Sequence, residues 1–203
     1  GIRDLVRSRG LGDVYKRQYI MIIFISMFLL YMCFYINIKL NIIFYFSFYL
    51  YFPIVAWYGS KSGRRRDEGL MFHQTLTAST WIACLVFIFV PVRVTLRHQV
   101  VFQDDLFNPF MTALHSADPP FNSWPSLHVF QSTLILLVMR RWLIGERKWT
   151  MGLSIIVWVC WALLVLSTVG IKQHYVFDAV TGLAFALTVW FFVCKPRLNQ
   201  IEY

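Results

Sequence analysis

Six long apolar stretches dominate the chain, at 19–37, 41–58, 74–92, 125–142, 149–169 and 175–194. Each is 18 to 21 residues long by these limits, and a helix needs about 20 residues to cross the hydrocarbon core of a bilayer. In that core every backbone N–H and C=O must find its partner inside the protein, which leaves the α-helix as the conformation of such stretches. The expected fold is all-α, a polytopic membrane bundle of about six transmembrane helices. Composition points the same way. Apolar residues make up 58% of the chain and charged residues 14%, against about 25% charged in an ordinary soluble domain. These proportions argue against a soluble globular domain and against a disordered chain. Cys33, Cys84, Cys160 and Cys194 all sit inside apolar runs, with no visible disulfide framework or zinc-ligand spacing.

The segment Gly1–Gln18 does not match the rest of the chain. It is polar and basic, and its string RSRGLGDVYKRQ resembles the translated read-through of a sequencing adapter. It is expected to be a non-native or disordered N-terminal segment and is set aside from the fold; an ordinary basic cytoplasmic tail is the other reading. Residues 19–203 read as a single domain, without internal repeats. The first two spans, rich in Ile, Phe and Tyr, carry no candidate chemistry.

The net charge of +9 is first a topology signal and not a sign of nucleic-acid binding. Lys61, Arg64, Arg65 and Arg66 lie between the second and third spans. Arg140, Arg141, Arg147 and Lys148 lie between the fourth and fifth, and Lys195 and Arg197 in the tail. With six spans these loops share one side, while Lys39, Arg93, Arg97 and Lys172 lie on the other. The positive-inside rule makes the richer side cytoplasmic.

Most of the unusual polar residues fall at the opposite, non-cytoplasmic ends of the spans. His174 and Asp178 are four residues apart, a spacing that on a helix puts both on one face. The carboxylate would then hold one ring nitrogen and raise the basicity of the other; a purely structural interfacial pair has the same signature. Ser123 is a candidate helix N-cap with Pro125 in the first turn, and the N–H groups there, with the Ser126 hydroxyl and His128, form a candidate anion site. A capped helix start with an interfacial histidine reads identically. Arg93 and Arg97 can grip phosphate or snorkel to the interface, as can Lys172. The fourth and fifth spans run down and back, so His128 and His174 are expected to meet although 46 residues apart. Two histidines, an aspartate, a helix start and several cations suit a phosphate ester. No Walker loop, Gly-rich dinucleotide motif or metal-ligand spacing is present, so phosphoryl transfer without metal or cofactor is the chemistry expected.

The same residues resemble the type 2 phosphatidic acid phosphatase superfamily, over about residues 41–194. That superfamily includes membrane lipid phosphatases, vanadium haloperoxidases and lipid phosphotransferases that make inositol phosphorylceramide or sphingomyelin. Its second motif, Pro-Ser-Gly-His, is similar to Pro125-Ser126-Leu127-His128. Its third, Ser-Arg-x5-His-x3-Asp, is similar to Ser167-Thr168 followed by His174 and Asp178. Its first, Lys-x6-Arg-Pro, retains Arg97, but His98 stands at the proline and Val90 at the lysine. Thr168 stands at the third-motif arginine, so two phosphate-gripping cations are missing from their usual places. The wording around Pro125 and Lys172 is similar to the inositol phosphotransferase-like branch, where that arginine is also often missing.

The resemblance implies that His174 is the nucleophile, that Asp178 orients it, and that His128 protonates the leaving group. It assigns phosphate binding to Arg97 and Ser126, and proximity alone makes Arg93 and Lys172 the candidate substitutes for the missing cations. The expected activity is an integral membrane lipid phosphatase acting on a lipid phosphate monoester or diphosphate through a phosphohistidine. The expected partners are the bilayer and the lipid substrate, and the expected site faces the periplasm, cell exterior or lumen. A lipid phosphotransferase and a catalytically inactive homologue are the alternatives. The haloperoxidases are soluble and do not fit.

Overall fold

The computed structural model describes residues 38–61, 63–96, 108–118 and 120–201. The first expected span, 19–37, the segment Gly1–Gln18 and the candidate Arg97 lie outside the described residues. The helices are α1 (Ile38–Gly59), α2 (Arg64–Phe89), α3 (Asn108–Ala117), α4 (Leu127–Gly145), α5 (Met151–Gly170) and α6 (Val176–Val189). A π-helical stretch, Trp190–Cys194, joins α6 to α7 (Lys195–Gln200) without a break. Among the described residues the one extended pairing is an isolated bridge between Arg93 and Phe121.

The fold is an all-α membrane bundle. Among the described residues five helical segments are long and apolar enough to cross a bilayer: Asn41–Gly59, Arg64–Phe89, Leu127–Gly145, Met151–Gly170 and Val176–Gln200. Trp81, Ile88, Phe89 and Phe192 point outward, each more than 60% exposed, an arrangement that lipid tolerates and water does not. α4 is the central helix, with half of its span buried against a third or less in the others. Its Phe130, Leu134, Ile135, Val138 and Trp142 pack into one cluster with Val55 and Tyr58 of α1, Phe72 and Leu76 of α2, and Ala186 and Val189 of α6. α4 packs chiefly on α6, and α1 chiefly on α5.

The structure departs from the sequence reading at the helix ends. α2 starts at Arg64, ten residues before the apolar stretch at 74. The run Arg64-Arg65-Arg66-Asp67-Glu68 is therefore its first turn and not a loop. Strong helix formers extend it outward, and the Arg64 Nε–Glu68 Oε1 contact of 3.0 Å bridges one turn. The π stretch has a local cause. Pro196 offers no N–H to the ladder, and just before it the Lys195 N–H reaches Trp190 O, one residue beyond α-helical register. α3 lies in a segment whose charges and Asp118-Pro119-Pro120 turn read as loop; Met111 and Leu114 bury against Ile42, Tyr45 and Ile171.

At the basic end Glu146 ties three helix ends together. It accepts from Tyr58 Oη at 2.5 Å, Arg65 Nη2 at 3.0 Å and Lys148 Nζ at 2.6 Å. The bonds from Lys148 and then Tyr58 hold its carboxyl down at about 2, from an ordinary 4.5. A depressed carboxyl contributes stability above its ordinary value and loses it as pH falls toward the folded one. Thermal unfolding in detergent should therefore show Glu146→Gln less stable than the parent at neutral pH. The gap should close as pH falls through the window from 4.5 toward about 2.

Candidate active site

The site is built where the starts of α4 and α6 meet. α4 begins at Leu127, with Ser126 as its N-cap: the Ser126 Oγ accepts the Val129 N–H at 3.5 Å. Ser123 and Pro125, expected to cap and open this helix, lie ahead of it, joined through a cis Trp124–Pro125 bond. The Ser126 N–H donates to the Asp178 carbonyl at 3.1 Å, so the backbone of α6 holds the start of α4. Contact is this close because residue 182 is glycine. A Cβ there would lie 2.6 Å from Ser126 O.

His174 sits before α6, whose N-cap is Tyr175, so His174 and Asp178 do not share a helix face as the spacing suggested. The Asp178 Oδ2 instead accepts the Tyr175 N–H at 2.9 Å, a carboxylate reaching back over a helix start. It lies 3.7 Å from His174 Nδ1, beyond hydrogen-bond range. The His174 Nδ1 is bonded elsewhere, to the Ser123 carbonyl at 3.0 Å. The N–H groups of Gln173 and His174 both donate to Thr168 O, at 3.0 and 3.1 Å, which fixes the turn from below. Ser126, Thr168, His174 and Asp178 are all buried.

The structure brings the two histidines together. His128 Nδ1 and His174 Nε2 are 3.2 Å apart. The protonation pattern follows from the partners. A backbone carbonyl only accepts, so His174 Nδ1 carries a hydrogen toward Ser123 O. In the neutral ring Nε2 is then the bare nitrogen, and His128 Nδ1 must supply the hydrogen between them. His174 thus presents a lone pair and His128 an N–H.

The remaining expected residues are not drawn equally close. Arg93 is exposed, its guanidinium 5.4 Å over the Phe121 ring. Lys172 is half-buried in a left-handed turn, φ 58°, two residues before His174. Ser126, expected to face phosphate, spends its Oγ lone pair as a cap and is fully buried. Thr168 lies beneath the loop with its hydroxyl donating to Val165 O at 2.8 Å. Helix geometry leaves the N–H groups of Leu127 and His128 without intrahelical acceptors. Two neighbours escaped the sequence reading. Tyr45 and Phe48 of α1 lie against the His128 ring, with centroid distances of 4.7 and 4.5 Å. They stand among so many aromatic residues in that helix that no pattern set them apart.

A family model described as PAP2 superfamily matches residues 34–192, more than three quarters of the chain. The chain belongs to the PAP2 superfamily. Comparison with curated proteins and with solved structures gives no match. Membership in the PAP2 superfamily supports a phosphatase-type function in general terms, and with the five apolar helices it makes this an integral membrane protein. The matched region contains both histidines, Asp178 and Gly182.

The geometry can be checked in two ways. Nitrogen-15 spectra of histidine-labelled protein should show His174 protonated at Nδ1 and bare at Nε2 at pH values where both rings are neutral. Gly182→Ala should force α6 off the start of α4 and cut turnover about 10- to 100-fold, since a misplacement of about 1 Å costs that much, while circular dichroism stays helical.

Proposed function

We propose that this protein is a membrane lipid phosphatase that cleaves a lipid phosphate monoester or diphosphate through a phosphohistidine at His174. The observation that carries the reading is the placing of His174, with its Nδ1 3.0 Å from the Ser123 carbonyl and its Nε2 3.2 Å from His128 Nδ1. A nucleophile anchored at its far nitrogen and an acid within hydrogen-bond reach are what nucleophilic phosphoryl transfer requires.

The rings separate to admit the phosphoryl group. The Nε2 lone pair attacks phosphorus, the bond to the lipid oxygen breaks, and that oxygen takes a proton from His128, which enters the step as the imidazolium and leaves it neutral. Asp178, 3.7 Å from Nδ1, balances the positive ring of the phosphohistidine. Water then gives a proton to His128 and its oxygen to phosphorus, the P–N bond breaks, and inorganic phosphate leaves. Arg97, Arg93 and Lys172 are the cations proposed to hold the equatorial oxygens, together with the Ser126 region and the first-turn N–H groups of α4. The histidines are proposed to face the non-cytoplasmic side, a reading supported by the ten cations assigned to the other end. A lipid hydroxyl in place of water would make the same intermediate serve a phosphotransferase.

Purified protein in detergent should release phosphate from short-chain phosphatidate or a polyprenyl diphosphate, and His174→Ala should reduce this to background. His128→Ala should let phosphohistidine at His174 be trapped while slowing turnover roughly 100-fold or more. Retained activity in His174→Ala overturns the reading. Phosphate release replaced by head-group transfer when ceramide is added decides for the phosphotransferase.

A further inference from the structure

A cavity of about 350 Å³ lies at the end of the bundle opposite the histidines, lined by Arg64, Arg65, Glu68, Arg141, Trp142, Ile144, Gly145 and Glu146. His128 opens α4 and Trp142 nearly closes it, so the cavity and the histidines are separated by about 20 Å of helix. It plays no part in the proposed chemistry.

Its charges are unevenly matched. The lining holds three cations, Arg64, Arg65 and Arg141, and two carboxylates, Glu68 and Glu146; Arg141 donates to Asn199 Oδ1 at 2.8 Å and to Leu198 O at 3.3 Å. Both carboxylates are already engaged, Glu68 by Arg64 and Arg65, Glu146 by Arg65, Lys148 and Tyr58. Two buried donors in the lining have no hydrogen-bond acceptor among the described residues: Arg65 Nη1 and Trp142 Nε1. Arg65 Nη1 comes no nearer than 3.6 Å to Glu68 Oε2. Trp142 is 1% exposed, and the Arg65 guanidinium stacks over its ring at 4.9 Å. A buried donor left without an acceptor is unfavourable. Two in one cation-lined cavity are explained together by an anionic acceptor that completes them.

We infer that this cavity is a second binding site, separate from the histidines, for the phosphate group of an anionic phospholipid or for free phosphate. The fork of Arg65 and the neighbouring Arg64 supply charge-assisted donors suited to phosphate oxygens. Ile144 in the lining is 46% exposed, which gives an acyl chain an apolar edge beside the cations. Basic pockets between spanning helices hold lipid headgroups in this way.

The test uses the full-length purified protein and two probes, phosphatidylglycerol in phosphatidylcholine nanodiscs and inorganic phosphate in detergent. Native mass spectrometry counts retained lipids, and thermal unfolding reads the phosphate arm. The parent should retain one phosphatidylglycerol more than Arg65→Gln does, or show a phosphate-dependent stabilisation that Arg65→Gln lacks. The first outcome makes the ligand a lipid and the second makes it free phosphate. The loss corresponds to roughly tenfold or more in affinity for a charged donor. Trp142→Phe keeps the ring and its packing but removes the N–H; it should weaken binding about two- to tenfold and serves if Arg65→Gln does not fold. Equal binding by the parent and Trp142→Phe in both arms, or equal retention of phosphatidylcholine and phosphatidylglycerol, overturns the inference. His174→Ala should bind both probes at this cavity as the parent does, so failure of the phosphatase reading leaves the result intact.

Discussion

The single bond from the Ser126 N–H to the Asp178 carbonyl, 3.1 Å long, is the contact on which the site depends. It joins the starts of two helices whose side chains alone would pack at a greater distance. Gly182 makes it possible by offering no Cβ against the Ser126 backbone. Once the two starts are joined, the Ser123 carbonyl comes within reach of His174 and the two imidazoles meet. A small residue where helices cross is the usual means of close approach in a bilayer, where apolar burial gives helices little reason to associate. In this protein the close approach lies under the paired histidines.

Much of the architecture was legible in the sequence because the bilayer imposes a simple rule: about 20 apolar residues per crossing. Four of the described spanning helices overlap the expected stretches to within a few residues at their starts. The rule is silent where helices leave the hydrocarbon. The Arg64-Arg65-Arg66 turn is polar yet helical, held by Arg64–Glu68 and Arg65–Glu146 pairing. α3 is short and amphipathic, and its identity rests on Met111 and Leu114 finding Tyr45 and Ile171 across the fold, a tertiary fact that no local pattern encodes.

For the candidate site the sequence was informative about which residues would meet and less so about their geometry. The pairing of His128 with His174 followed from counting residues down one span and up the next. The partner of His174 Nδ1 did not follow, because a backbone carbonyl leaves no trace in a sequence. Spacing favoured Asp178 as that partner, on the premise that one helix carries both residues. The helix instead starts at Val176, beyond His174, and the carboxylate turns to the N–H of its own N-cap, Tyr175. The aromatic cover of His128 by Tyr45 and Phe48 was hidden for a different reason: lipid-facing and site-facing aromatics look alike when both are surrounded by apolar neighbours.

The Ser123 carbonyl has a consequence beyond holding a ring. It decides which nitrogen of His174 is bare, and through the 3.2 Å contact it decides which nitrogen of His128 is loaded. The polarity of the pair is thus written in main chain, and exchanging the side chain at 123 does not erase it. The vulnerable positions are the ones that steer the loop, Ser126 through its N–H and Gly182 through its missing Cβ.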